Sequence, residues 1–275
     1  MPKTSSYTSS YTSSYRSRPP EARGHIPYGP EEDGVWRDLV ARQEKLLPGR
    51  VCPAYLEGLA TLDLPRHRVP QLAEINARLA QASGFGIAAV PALISPTRFF
   101  GLLAERRFPV ATFLRRREDF DYLQEPDIFH EVFGHCPMLA HPAFADFLER
   151  FGRLALAAGE AYIWRIQRLF WFTVEFGLIE GPEGLRIYGA GIASSPGETR
   201  HALESEEVER RPLDLVRVFR TPYRIDIFQS VIYVIRSFEQ LRDLLAQDLR
   251  PAMDKAEALG MLPPSFPPKK DADAA

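Results

Sequence analysis

Pro126-Asp127-Ile128-Phe129-His130-Glu131-Val132-Phe133-Gly134-His135 is followed further along by Trp171-Phe172-Thr173-Val174-Glu175-Phe176-Gly177. Two histidines and a distant carboxylate are the residue types of a facial triad, a metal site that leaves positions open for oxygen chemistry. The histidines stand five apart, so on a continuous α-helix they would point roughly 140° from each other. The metalloprotease pattern H-E-x-x-H avoids this with its i, i+4 spacing. Gly134 offers a solution, because glycine ends helices cheaply. The expectation is a helix that carries His130, breaks near Gly134 and swings His135 back, with Pro137 beyond the break. Asp127, three residues before His130, is expected to accept the spare imidazole N–H and fix the ring, or to serve as an acid at the helix start. Glu175 is the lone ionisable residue between Trp171 and Ile179. A buried acid binds metal, finds a cation or shifts its pKa. The competing partners for Glu175 are Arg165 and Arg168, and the paired histidines favour the metal.

Outward from these two stretches the pattern is mostly helical. Apolar residues recur at helical spacing over Val35–Leu47, Val69–Gln81, Thr97–Arg106, Pro142–Ala157, Glu160–Ile179 and Phe238–Leu249. Strands are expected at Val110–Leu114, Leu185–Tyr188, Leu215–Phe219 and Ser230–Ile235. The fold class is therefore mainly α with small β pieces, in one catalytic domain over residues 25–261. Thr-Ser-Ser-Tyr repeats three times from Thr4 to Tyr15. Such a segment buries too little to offset its ordering entropy, so residues 1–24 are expected to form a disordered tail. Residues 262–275, rich in Pro, Lys and Ala and without heptads, are expected to form another.

With 275 residues and 45% hydrophobic content, the chain can bury a substantial core. A net charge of −2 argues against a nucleic-acid partner. Two cysteines, Cys52 and Cys136, suggest a reducing compartment, and Cys136 beside His135 reads as a small buried side chain rather than a ligand. Arg168 and Glu175 interrupt the longest apolar run, so no membrane span is expected. No secretory signal is visible, which points to a cytoplasmic protein.

The stretch Glu125–His135 resembles the iron-binding segment of the aromatic amino acid hydroxylases, and Trp171–Leu178 resembles their third-ligand helix. Tyr188-Gly189-Ala190-Gly191-Ile192-Ala193-Ser194-Ser195-Pro196-Gly197-Glu198 is similar to their substrate-side loop, and Ile94–Leu103 is a weaker match. The resemblance covers Val35 to Leu249 and favours the compact bacterial form of the family that acts on phenylalanine. It implies a single hydroxylase catalytic domain with iron(II) on His130, His135 and Glu175 and a tetrahydropterin co-substrate. O2 is then split between the pterin and L-phenylalanine, giving L-tyrosine in the first step of phenylalanine catabolism. The ligand types alone would also suit zinc or copper; the resemblance selects iron. It also implies a monomer, since the larger members' regulatory domain has no counterpart here.

Residue by residue, the resemblance puts Glu131 on the pterin side, where it affects coupling of oxygen use to hydroxylation. Phe99 becomes the ring that stacks on the pterin, and Arg115 the fork for the substrate carboxylate. Arg116 and Arg117 are left as surface. Trp171 lies near the substrate ring, and Ser194, Ser195 and Glu198 lie on the amino-acid side. Ser195 is a candidate to bond the carboxylate, and Glu198 to support the loop. One departure is Leu123, where the larger members carry a substrate-contacting threonine. The alternatives are the same chemistry on tryptophan or tyrosine, a zinc hydrolase with Glu131 as base, or a domain with a structural metal. The hydrolase suits the i, i+5 spacing poorly, and a closed structural site usually has four ligands.

Overall fold

The computed structural model describes residues 15–21, 24–91 and 94–268. Helix α1 (Pro30–Leu46) starts where the sequence supplies start signals: Pro30 in the first turn, three acids behind it, and Glu32 reaching back to the Gly29 N–H at 2.9 Å. Helices α2 (Pro53–Leu62) and α3 (Leu72–Ala82) follow. Strands β1 (Gly86–Val90) and β2 (Arg107–Ala111) pair in parallel, Gly86 opposite Arg107, and α4 (Pro96–Ala104) makes the crossover that parallel pairing requires. A π-helix over Phe129–His135 runs into α5 (Cys136–Leu139), then come α6 (Pro142–Ala158), α7 (Ile163–Phe170) and a second π-helix over Trp171–Glu175.

The last part is mixed. Strands β3 (Gly177–Gly181) and β4 (Gly184–Ile187) form a hairpin, and α8 (Ala190–Ala193), α9 (Pro196–Glu204), β5 (Glu209–Pro212) and α10 (Leu215–Arg220) lead to β6 (Val231–Ile235). Helices α11 (Phe238–Leu245) and α12 (Arg250–Leu259) close the chain. The four strands order as β4-β3-β6-β5, with β6 parallel to both its neighbours. All five residues of β6 are buried, as a strand covered on both faces requires.

Helix α6 shows how the core forms. Phe144, Ala145, Phe147, Leu148, Phe151, Gly152 and Ala155 make one buried stripe at helical spacing. Gly152 lets α6 press onto α4, for a β-carbon there would stand 2.4 Å from the Ala104 backbone nitrogen and 2.6 Å from the Phe100 carbonyl oxygen. That contact seats α4, the helix that carries Phe99. On the other side of the core Trp36 of α1 meets Phe129 edge-on, with ring centroids 5.7 Å apart.

The mainly α class with small β pieces is what the structure has, but several elements differ from expectation. Residues 215–220 are a helix, not a strand: Asp214 caps it, its carboxylate accepting the Arg217 N–H at 2.7 Å. The apolar run of Leu215–Phe219 suits either element, and the cap decides. The helix expected over Glu160–Ile179 stops at Glu175, and its last residues become β3 beside the apolar β6. The helix expected over Phe238–Leu249 ends at Leu245, and Pro251 beyond it lies in the first turn of α12.

Both expected tails fall partly outside the described residues, and their described parts pack on the domain. Tyr15 is buried, stacks on Phe113 at 5.0 Å and bonds the Asp119 carboxylate. Arg18 forks onto Glu32, and Ser17 Oγ accepts the Thr112 N–H at 3.0 Å. At the other end Leu262 N–H meets the Arg220 carbonyl at 2.8 Å. A low-complexity average hides one aromatic and one arginine that have partners. Among the described residues no helix is long and apolar enough to cross a membrane.

Candidate functional site

The helix carrying His130 does not break at Gly134. It widens into a π-helix from Phe129 to His135 and continues as α5, with Gly134 at an ordinary negative φ. A π-helix closes its hydrogen bonds at i+5, so residues five apart lie over one another. This is why His130 and His135 converge without a turn. Gly134 is needed for space instead: a β-carbon there would lie 3.0 Å from the Ala190 carbonyl oxygen and 3.3 Å from the Ser194 β-carbon. Side chains hold carbonyls around the wide turn. Tyr55 Oη donates to the Phe133 carbonyl at 2.5 Å, and the Cys136 thiol to that of Glu131 at 3.6 Å. Cys136 is thus a satisfied buried thiol, not a ligand.

Glu175 arrives from the end of the second π-helix. Its Oε1 is 3.1 Å from His135 Nε2 and its Oε2 is 3.5 Å from His130 Nε2, while the two Nε2 atoms are 3.1 Å apart. A cation with bonds of about 2.0–2.2 Å to N and O ligands separates neighbouring ligand atoms by about 3.0–3.5 Å, so the triangle fits a single metal ion. Arg165 and Arg168, the competing partners, are engaged elsewhere: Arg165 pairs with Glu257 at 2.9 Å, and Arg168 lies over Trp164 at 4.8 Å. Glu131 is also near, with ligand atoms of His130, Glu131 and His135 within 4.8 Å of one another. Glu175 makes the shorter edges to both imidazoles, and Glu131 lies beside that triangle.

The hydrogen bonds fix the state of His130. Ser194 Oγ donates to the Ala190 carbonyl at 2.9 Å, so toward His130 Nδ1, also at 2.9 Å, it accepts. Nδ1 therefore carries the proton and Nε2 presents its lone pair to the centre. Burial pushes the His130 pKa down to about 4, which keeps the ring neutral as a metal ligand must be. Burial opposes ionisation of Glu175, but the facing His135 and His130 outweigh it and hold its carboxyl below the usual value. Burial, then the charges of Glu175 and Asp127, push Glu131 well above its usual range.

Asp127 does not take the imidazole N–H; Ser194 does. Asp127 is fully buried and faces Arg115 instead, accepting Nε at 2.8 Å, Nη2 at 3.0 Å and the Arg115 backbone N–H at 3.0 Å. Its Oδ1 also caps the His130 backbone N–H at 3.0 Å. Burial opposes its ionisation, yet the Arg115 guanidinium keeps its pKa lowered. One edge of the Arg115 fork is thus occupied and the Nη1 side remains for another acceptor. Arg115, Asp127, His130 and Ser194 form one connected chain of bonds.

Phe99 is half-buried and meets Phe170 edge-on at 5.1 Å and Phe108 at 6.1 Å. Phe108 in turn lies 4.3 Å from the His135 ring, so Phe99 is two ring contacts from the ligand set. Trp171, four residues before Glu175 on the same π-helix, stacks on Tyr223 at 4.5 Å. Ser195 caps α9, its Oγ accepting the Glu198 N–H at 3.3 Å, which leaves its O–H to donate. Sequence reasoning missed Phe108, Phe170, Tyr223 and Gln229, none of which lies in the motifs that drew attention to the site.

Glu198 is buried, with one oxygen accepting the Gln229 N–H at 3.1 Å and the other without a partner. Burial pushes its carboxyl from 4.5 up to about 8. The folded protein then keeps this proton while the unfolded chain releases it, so stability falls as pH rises from 4.5 to 8 and levels off above. The slope amounts to at most about 5 kcal/mol over that window. Glu198→Gln is expected to flatten it, as urea unfolding at several pH values would show; an unchanged slope would rule Glu198 out as its source.

A profile of the biopterin-dependent aromatic amino acid hydroxylases matches residues 3–255. The chain is similar to the phenylalanine-4-hydroxylase of Vibrio cholerae, 50% identical over 258 residues that cover 94% of this chain and 89% of that one. It resembles the structure of phenylalanine hydroxylase from Legionella pneumophila at 49% identity and a TM-score of 0.89, covering 91% of this chain and 100% of that one. A third similarity is to the Chromobacterium violaceum phenylalanine hydroxylase with bound oxidized Fe(III), at 45% identity and a TM-score of 0.84, covering 88% and 89%.

Proposed function

This chain belongs to the biopterin-dependent aromatic amino acid hydroxylase family, and we infer that it converts L-phenylalanine to L-tyrosine with O2, iron(II) and a tetrahydropterin. The observation that carries the site assignment is the triangle of His130 Nε2, His135 Nε2 and Glu175 carboxylate, with edges of 3.1, 3.1 and 3.5 Å. Iron(II) and the pterin supply the oxygen activation when bound, and the chain supplies everything that positions it. His130, His135 and Glu175 would hold the metal, and the Ser194 bond orients the His130 ring.

Arg115, anchored along one edge by Asp127, offers its Nη1 side to the substrate carboxylate. Ser195, whose O–H is left to donate, is a second candidate for that carboxylate. Trp171 walls the substrate ring. Phe99 offers its face to the flat pterin, and Glu131, close to both imidazoles, takes the pterin-side role that the family resemblance gives it. Leu123, partly buried against Tyr15, Ala111 and Phe113, supplies no hydroxyl to the substrate. A zinc hydrolase would not account for the substrate-side and pterin-side residues. We also read the protein as a monomer and as cytoplasmic, the latter in keeping with its two free, buried cysteines.

The purified protein, stripped of metal, should form tyrosine from phenylalanine once iron(II) and a reduced tetrahydropterin are both present, and negligible tyrosine when either is omitted. Competition among phenylalanine, tryptophan and tyrosine should favour phenylalanine. Full activity with zinc alone would overturn the reading, and a preference for tryptophan or tyrosine would move it to another member of the family.

A further inference from the structure

The parts of the pocket on the substrate side come from segments far apart in the chain. Trp171 opens the second π-helix, Glu198 stands in the first turn of α9, and the loop 222–230 leads into β6. Gln229 joins all three. It is 3% exposed. Its carboxamide oxygen accepts the Trp171 indole N–H at 3.0 Å. Its amide nitrogen donates to the Arg224 carbonyl at 2.9 Å and the Ile227 carbonyl at 3.1 Å. Its backbone N–H donates to Glu198 Oε1 at 3.1 Å. Both amide donors and the oxygen are therefore engaged, and a flipped amide would set like against like in all three side-chain bonds.

Trp171 needs such a hold. Its ring lies between Tyr223, at 4.5 Å and 18°, and Phe176, at 4.6 Å and 37°. Stacking fixes the plane of an aromatic ring but resists sliding within that plane only weakly, whereas an N–H···O bond fixes an edge. None of the Gln229 hydrogen bonds reaches His130, His135 or Glu175.

We propose that Gln229 is a positioning residue for the aromatic substrate: it locks the Trp171 indole to the 222–230 loop and so sets the shape of the pocket for the substrate ring. This rests on the reading of Trp171 as the wall beside that ring. The effect of losing Gln229 falls on substrate affinity and on the choice among aromatic amino acids, not on metal retention.

The test is a double-mutant cycle of Gln229→Met and Trp171→Phe, since phenylalanine keeps a stacking ring and lacks the N–H. Steady-state kinetics with L-phenylalanine, competition with L-tryptophan, iron content and thermal midpoint are measured for each variant. Each single variant is expected to raise KM about 3- to 10-fold, the scale of one net hydrogen bond, with iron content unchanged and kcat altered less than KM. The double variant should be no worse than the worse single variant within about twofold, because both remove the same bond. Gln229→Glu, which keeps an acceptor for the indole but turns an oxygen onto two carbonyls, serves if Gln229→Met does not fold. Multiplicative KM effects in the cycle, or unchanged KM in the Gln229 variants, would overturn the proposal. Absence of tyrosine formation by the unmodified protein would instead overturn the functional reading beneath it.

Discussion

Glu175→Ala is expected to give a folded protein that purifies with under a tenth of an equivalent of iron and forms no measurable tyrosine. Two imidazoles remain, but the charge that neutralises the cation is gone. Losing even a residue that only orients a ligand typically weakens a metal site about 10- to 100-fold. Removing a ligand, and the anionic one, should exceed that. The apoprotein should tolerate the change, since His130, its pKa pushed down to about 4, is neutral and is left without a buried charge to compensate. Glu175→Gln separates the two contributions: the amide oxygen keeps a donor in place and withdraws the charge, so partial iron retention is expected. Metal analysis and thermal denaturation after reconstitution read both outcomes. A full equivalent of iron in Glu175→Ala would remove Glu175 from the ligand set.

The three side chains of the proposed ligand set were singled out in the sequence, and the structure brings them together, but the way they converge was not legible. The i, i+5 spacing was correctly incompatible with a plain α-helix. Periodicity arguments know turns of 3.6 residues and alternation by two, so a break at Gly134 was the available solution. The structure uses a wider turn, and its carbonyls are held by Tyr55 from α2 and by Cys136. Nothing near His130 in the sequence announces a tyrosine so far upstream. The same limit explains Asp127. Its position three residues before His130 suggested the imidazole, whereas its strongest partner, Arg115, depends on how the segment after β2 returns to the π-helix. Ser194 shows the reverse case: the resemblance put it on the substrate side, and the geometry adds a bond to His130 Nδ1. Tyr15 was lost to a compositional average because its partners, Phe113 and Asp119, are remote in the chain.

The Arg115–Asp127 pair yields the second large effect. Asp127→Ala is expected to destabilise the apoprotein by about 3–5 kcal/mol, the usual consequence of leaving one member of a buried pair alone. Arg115 is nearly as buried as Asp127, so water does not replace the lost carboxylate. Two backbone donors, the N–H groups of Arg115 and His130, lose their acceptor at the same time, and the first turn of the π-helix loosens. Iron retention should therefore fall in this variant although Asp127 touches no metal. Adding Arg115→Met to Asp127→Ala removes the stranded charge while leaving the two backbone groups unsatisfied. The double variant should then be more stable than Asp127→Ala alone, despite having lost more contacts, and its KM for phenylalanine should stay high because the carboxylate fork is gone. Urea unfolding of the apoproteins measures the order. If the double variant is instead weaker by the sum of the two single effects, the stranded guanidinium is not what destabilises Asp127→Ala, and the capping of His130 by Asp127 becomes the controlling interaction.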